Sequence, residues 1–322
     1  MVYYYGQKSI APRLTTGRDQ YLVPQNPPHS RFSAPFDPGN NQSIMTQPAM
    51  AQPETVHPTL AGCKAMVFDL MGTCCDWHTG IVKAMEKLPD VHGLPSREYD
   101  RFALDWRKEF FQEIDARFEQ GLPHENIDRT HRRILDHLLD RRDGMEKWEE
   151  GHRQSLIDAW HVQRAWPDVI RALDRLRHHT TFFLVVLANG TTRLQLDIVR
   201  SAGLPFHTLF SSELLGLTKP DPAMYRKAIQ LMGLEPEECI MVASHAYDLI
   251  AAKKVGMKTV YIKRETEDVD AEIQALFGDY AGDNKADAWF DGSEGTEACG
   301  MVKFVSALGV SDYLPYVRVG TE

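Results

Sequence analysis

Four short stretches carry side chains of the kinds that do covalent or acid–base chemistry, and three of them directly follow an apolar run. Asp69 closes Ala65-Met66-Val67-Phe68, with Thr73 four residues on. Asn189 and Gly190 follow the run from Phe182 to Leu187. Ser244-His245-Ala246-Tyr247-Asp248 follows Ile240-Met241-Val242, and between these two sets Lys219 precedes Pro220-Asp221. A carboxylate, an amide, an ammonium group and a Ser/His/Asp set are reagents for nucleophilic and proton-transfer steps. Each taken singly has a plainer reading. An Asp after an apolar run is commonly a cap or turn residue, and a Lys before Pro-Asp is commonly solvated. The ordered set of four is what singles these positions out.

The elements that must position them follow from periodicity. Ala65–Phe68, Phe182–Leu187, Ile240–Val242, Thr259–Ile262 and Ala288–Phe290 are short apolar runs that suit buried strands. Helices fall between them. Leu194, Ile198 and Ala202 share one face before Gly203. Asp221 caps a helix with Pro222 in its first turn, and Met224, Ala228, Leu231 and Met232 line its core side before Gly233. Leu249–Val255 is helical before Gly256, and a last helix runs to Leu308. Such alternation predicts an α/β fold, a parallel sheet flanked by helices on both faces, with ligands at the carboxyl ends of its strands. Trp77 to about Arg164 reads as purely helical, with Phe102, Trp106, Phe110, Ile114 and Phe118 at four-residue spacing.

With these residues in that order the sequence resembles the haloacid dehalogenase superfamily. Val67-Phe68-Asp69-Leu70-Met71-Gly72-Thr73 is similar to its first motif, which holds a nucleophilic Asp. Leu187-Ala188-Asn189-Gly190, Lys219-Pro220-Asp221 and Ser244–Asp248 are similar to the second, third and fourth. The likeness spans about Lys64 to Leu308 and implies a Rossmannoid core over 63–76 and 165–310, with an inserted helical cap over 77–164. In the magnesium-dependent phosphatases of the superfamily, a second Asp stands two residues after the nucleophile and an acid opens motif four. Here those positions are Met71 and Ser244.

The 2-haloacid dehalogenase branch fits better. Asp105-Trp106-Arg107-Lys108 resembles its Trp-Arg segment, whose Arg receives the departing halide, and Tyr225 is in register with a Tyr of that branch. The resemblance implies that Asp69 attacks the carbon bearing the halogen. It also implies that Thr73 orients Asp69, Lys219 keeps it charged, and water activated through Asp248 hydrolyses the ester to a 2-hydroxy acid. No metal or other cofactor is needed. Met71, Asn189, Tyr225, Ser244 and His245 are the expected substrate-binding residues.

Three positions depart from the branch. Ala188 replaces a hydroxyl, which leaves Asn189 and backbone N–H groups to bind the substrate carboxylate; His245 replaces an Asn, and Met71 a Tyr. His245 reads either as a base near neutral pH or as a neutral packed residue. Two alternatives stay open: a phosphohydrolase, or an enzyme or binding protein for another metabolite on the same scaffold.

Composition narrows the partners. The chain has 322 residues, 43% of them hydrophobic, and a formal net charge of -9. That balance argues against nucleic acid and leaves a small anionic molecule as the expected ligand. No run of about 18 apolar residues is present to span a membrane. The five cysteines (Cys63, Cys74, Cys75, Cys239, Cys299) lack metal spacing and read as reduced thiols, which suggests a cytoplasmic protein. Exposed aromatics on the helical block are compatible with a homodimer. Residues 1–62, rich in Pro, Gln, Asn and Ser, read as a disordered tail, and 311–322 as a C-terminal tail. Lys8, Arg13, Arg18 and Arg31 leave a leader open, and Met45 or Met50 a later start. His124, His131, His137, His178 and His179 read as surface residues.

Overall fold

The computed structural model describes residues 60–88, 94–122, 125–144, 147–269 and 286–310. The C-terminal tail, all but the last three residues of the N-terminal tail, and His124 lie outside the described residues.

Six apolar runs form strands: β1 (Ala65–Phe68), β2 (Phe183–Ala188), β3 (Thr208–Ser211), β4 (Cys239–Ala243), β5 (Lys258–Lys263) and β6 (Ala288–Asp291). They make one sheet in the order β3-β2-β1-β4-β5-β6, with every pairing parallel. The period-two alternation of side chains splits the core in two. Met66 and Phe68 of β1 face one cluster with Leu184, Ile240 and Ile262, while Ala65 and Val67 face the other with Met241 and Ala243. Both faces are covered, which is why the inner strands read as continuous apolar runs. β3 was not foreseen. It is four residues long at the sheet edge and only partly buried, so it carries little periodic signal.

The first four helices after β1 are α1 (Trp77–Glu86), α2 (Tyr99–Glu119), α3 (Ile127–Asp140) and α4 (Glu150–Ala159). They share their own apolar cluster around Trp77, Phe102, Trp106, Leu135, Leu139 and Trp160. Trp106 meets Trp160 edge-on at 5.2 Å between ring centroids. His131 corrects the surface reading: it is fully buried, stacked on Phe110 at 4.2 Å and on Trp160 at 4.1 Å. Neither ring nitrogen has a partner among the described residues, and burial holds its pKa well below the usual range, so it packs as a neutral ring. His137 and His178 are exposed as read.

The remaining helices are α5 (Val169–His179), α6 (Thr192–Ala202), α7 (Ser212–Leu215), α8 (Pro222–Met232), α9 (Ala246–Lys254) and α10 (Gly300–Ala307). Asp221 caps α8 through a side-chain bond from the Ala223 N–H, and Gly203 and Gly233 stop their helices in the left-handed conformation. Leu60, placed in the tail by composition, is buried in the core. All five cysteines are free thiols.

The chain order reverses at the centre of the sheet. It moves outward from β1 through β2 to β3, then returns to lay β4 on the other side of β1. In open parallel sheets that crevice is where ligands bind. It lies between the ends of β1 and β4, beside Asp69 and Ser244, and the Asp69 N–H donates to the Val242 carbonyl at 3.0 Å.

Candidate active site

Asp69 is 5% exposed at the tip of β1, and three donors converge on it. Its Oδ1 accepts from the Lys219 ammonium at 2.8 Å. Its Oδ2 accepts from the Thr73 hydroxyl at 2.7 Å and lies 3.0 Å from His245 Nδ1. Thr73 is oriented in turn by the Ser244 N–H, which donates to its Oγ1 at 2.8 Å. Burial alone would raise the Asp69 pKa. The Lys219 charge and the His245 hydrogen bond outweigh it and hold the carboxylate far below its usual range.

Lys219 is fully buried and also bonds Asp248. Burial disfavours its charge, but the two carboxylates more than compensate and raise its pKa. Asp248 accepts from the Tyr225 hydroxyl at 2.5 Å. Burial pushes Asp248 up against the opposing pull of Lys219, and Asp69 adds to the rise.

The unexpected part lies on the other side of Asp69. His245 Nε2 is 2.7 Å from Glu267 Oε2, and Glu267 also accepts from the Trp77 indole N–H. Ionised carboxylates only accept hydrogen bonds, so an imidazole between two of them needs both nitrogens protonated. Burial opposes that charge, but the hydrogen bonds to Asp69 and Glu267 prevail and raise the His245 pKa to about 10. Both the hydrogen-bond geometry and the raised pKa favour the imidazolium form of His245. This corrects both earlier readings, the neutral base and the neutral packed ring.

Glu267 itself escaped the sequence reading. It lies just beyond the end of β5, at the same end of the sheet as the other groups, in a polar stretch without an apolar run of its own. It approaches so closely that a Cβ on Gly72 would stand 2.5 Å from its carboxyl carbon, and Gly72 has φ +87°. Gly72 thus serves both the turn and the passage of this side chain. The next residue, Asp268, has φ +48° and accepts from the Ala246 N–H at 2.7 Å, tying the loop to the start of α9. Burial raises the Asp268 pKa to about 6.

A cavity of about 550 Å³ opens over Asp69. Met71, Arg107, Phe110, Phe111, Asn189 and His245 are among its walls. Arg107 is 8% exposed, and its guanidinium lies 4.4 Å from the Phe111 ring centroid and 5.4 Å from that of Trp77. One of its N–H groups points at the Met71 sulfur at 3.1 Å, and its Nε has no partner among the described residues. Burial depresses the Arg107 pKa, against the pull of Glu267, Tyr247 and Asp69.

Some expected substrate contacts take other tasks. Tyr225 and Ser244 are fully buried and do not line this cavity; the Ser244 hydroxyl donates to the Ile262 carbonyl. Asp248 does not line it either, since its oxygens are taken by Lys219 and Tyr225. Asn189 reaches the wall, but its amide clamps the backbone of Lys219. It accepts from the Lys219 N–H at 2.8 Å and donates to the Lys219 carbonyl at 3.1 Å.

The donor set does not suit a divalent cation. Magnesium prefers several free oxygens in near-octahedral array. Here Asp69 meets an ammonium, a hydroxyl and an imidazolium, and Asp248 meets the ammonium and a phenol. No group of three or more metal-ligating side chains occurs among the described residues. No helix among them is long and apolar enough to cross a membrane.

The family model for haloacid dehalogenase-like hydrolases matches residues 63–256. The (S)-2-haloacid dehalogenase 4A of Burkholderia cepacia is 25% identical over 223 residues, covering 66% of this chain and 88% of its own length. The phosphoglycolate phosphatase of Neisseria gonorrhoeae is also 25% identical, over 61% of this chain and 78% of its own. A solved L-2-haloacid dehalogenase structure superposes with a TM-score of 0.63 at 29% identity, covering 77% of this chain and all of its own. A solved defluorinating L-2-haloacid dehalogenase gives 0.63 at 28% identity, over 80% of this chain and 99% of its own.

Proposed function

Because the chain belongs to the haloacid dehalogenase-like hydrolases, we propose that it hydrolyses carbon–halogen bonds of 2-halocarboxylates. The observation that carries the reading is Arg107. A buried guanidinium with no hydrogen-bonded carboxylate among the described residues, ringed by aromatics, shares a cavity with an anionic Asp69. That is a receptor for an anion released above a nucleophile.

Asp69 Oδ1 has one donor and keeps a lone pair for attack. It bonds to the carbon as the carbon–halogen bond breaks, with inversion, and halide leaves with the bonding pair towards Arg107. Halide is a weak base and takes no proton, so Met71 in place of an acid is no handicap. Water then adds to the Asp69 carboxyl carbon. The bond from that carbon to Oδ1 breaks, and Oδ1 leaves in the 2-hydroxy acid with one proton from water. The second proton is released as the carboxylate re-forms. Lys219 lies beside the leaving oxygen, and Asp248, clamped by Tyr225, acts by holding Lys219 in place. Helices α1–α4 act as a cap over the site, carrying Arg107 and the aromatic wall.

The test is halide release from the two 2-chloropropionate enantiomers with chelator present. One enantiomer is expected to react. A single turnover in heavy-oxygen water is expected to leave one label in the Asp69 carboxylate. Magnesium-dependent release of phosphate from an aryl phosphate, with no halide release, would replace this reading by a phosphohydrolase.

A further inference from the structure

The two oxygens of Asp69 are not equivalent. Oδ1 meets one donor, whereas Oδ2 meets the Thr73 hydroxyl at 2.7 Å and His245 Nδ1 at 3.0 Å. Once Oδ1 has become the ester oxygen, Oδ2 is the carbonyl oxygen. Attack by water at the carboxyl carbon then drives negative charge onto Oδ2. Two donors at 2.7–3.1 Å from a developing oxyanion are the geometry that stabilises an acyl-transfer transition state. We propose that Thr73 and His245 form an oxyanion site for the hydrolytic half of the reaction, and that Glu267 is the positioning residue that holds His245 there. The proposal rests on the dehalogenase reading.

Three features mark Glu267 as a fixed part of the His245 arm. Glu267 is 4% exposed, and it accepts from both His245 Nε2 and the Trp77 indole. Gly72, φ +87°, leaves the space its carboxylate occupies. Without Glu267, alkylation of Asp69 would remove the last hydrogen-bonded carboxylate of His245 just before its charge is needed. With Glu267 in place the imidazolium survives the loss of the Asp69 charge. Its surroundings are Asp69 and Glu267 on the two nitrogens, the Phe111 and Tyr247 rings at 5.7 and 5.6 Å, and the charges of Asp268 and, through Glu267, of Arg107.

Two measurements test it. Histidine-labelled protein, with His245 assigned by its loss in His245→Asn, is expected to show a doubly protonated ring at pH 7.5, and Glu267→Gln to lower its titration midpoint. A neutral His245 ring in the unaltered protein overturns the proposal. The second measurement is rapid-quench mass spectrometry with whichever 2-chloropropionate enantiomer the unaltered protein turns over. Glu267→Gln is expected to release one equivalent of halide at near-normal rate and then stall. The Asp69 ester should accumulate, with hydrolysis slowed about 10- to 100-fold.

The double variant His245→Asn with Glu267→Gln removes the imidazolium together with its outer carboxylate, so neither is left stranded by loss of the other, and is expected to accumulate the same ester. Equal slowing of alkylation and hydrolysis, or no accumulated ester, overturns the assignment. No halide release from either enantiomer by the unaltered protein rejects the dehalogenase reading and this proposal with it. Normal turnover with unchanged ester hydrolysis in Glu267→Gln rejects the proposal alone.

Discussion

Asp69 sits between two arms built on one plan. On one side Lys219 bridges Asp69 and Asp248, and the Tyr225 hydroxyl fixes Asp248. On the other side His245 bridges Asp69 and Glu267, and the Trp77 indole fixes Glu267. Each arm is a buried cation between two carboxylates, with an aromatic donor on the outer one. They differ in how firmly the cation keeps its charge. An ammonium is charged at any physiological pH, whereas an imidazole is charged here because two carboxylates hold it so. They differ also in what they join. The lysine arm ties the end of β1 and the first turn of α9 to the start of α8. The histidine arm reaches Trp77, the first residue of α1, and so couples the nucleophile to the helical insertion.

The comparison can be broken at several points. Asp69→Asn removes the group shared by both arms and is expected to lower halide release by on the order of 10⁴-fold or more, measured at saturating substrate. Lys219→Met strands Asp69 and Asp248 together in the core and is expected to cost about 3–5 kcal/mol in denaturant unfolding, since a broken buried pair leaves uncompensated charge. Gly72→Ala strains a left-handed residue and collides with the Glu267 carboxyl. A loss of about 2–3 kcal/mol is expected, and combining it with Glu267→Ala should recover the steric part.

The pH dependence separates the arms. His245 is raised to about 10 from an ordinary 6.5. The stability it contributes is complete below the lower value and is lost as pH rises towards 10. Asp69, depressed below 3.8, works in reverse, with its contribution lost in acid. Thermal midpoints are therefore expected to fall by roughly 3–6 °C between pH 7 and 10, and the slope to flatten in the His245→Asn, Glu267→Gln double variant. An unchanged slope would show that the histidine arm carries no charge. The smallest effect is expected from Trp77→Phe, which keeps the ring and removes one N–H from Glu267, at about 1 kcal/mol of stability.

Much of the lysine arm was legible in the chain, because its groups follow recognisable strands or precede a capped helix. Asp69 ends an apolar run, Lys219 precedes Asp221-Pro222, and Asp248 follows β4 in the first turn of α9. Glu267 was not legible. It follows Arg264-Glu265-Thr266 in a polar stretch where any acid reads as solvated, and nothing local marks its turn inward. His131 failed for the opposite reason. A histidine among charged helix residues reads as surface, yet its position on α3 meets Phe110 and Trp160. Tyr225 and Ser244, expected to bind substrate, do not line the cavity, and Asn189 bonds the Lys219 backbone, since hydrogen bonds depend on side-chain direction as well as position.

Five of the six strands, the flanking helices and the strand ends at which chemistry gathers are legible along the chain, because short apolar runs and helix caps are local signals that neighbouring residues impose on one another. How those ends are charged depends on the folded arrangement. Whether His245 is a base or a cation depends on a carboxylate 22 residues away, and whether Arg107 is solvated or sealed among rings depends on how the inserted helices pack. Burial and pairing energies are set by groups distant in the chain, so they come into being only when the fold closes.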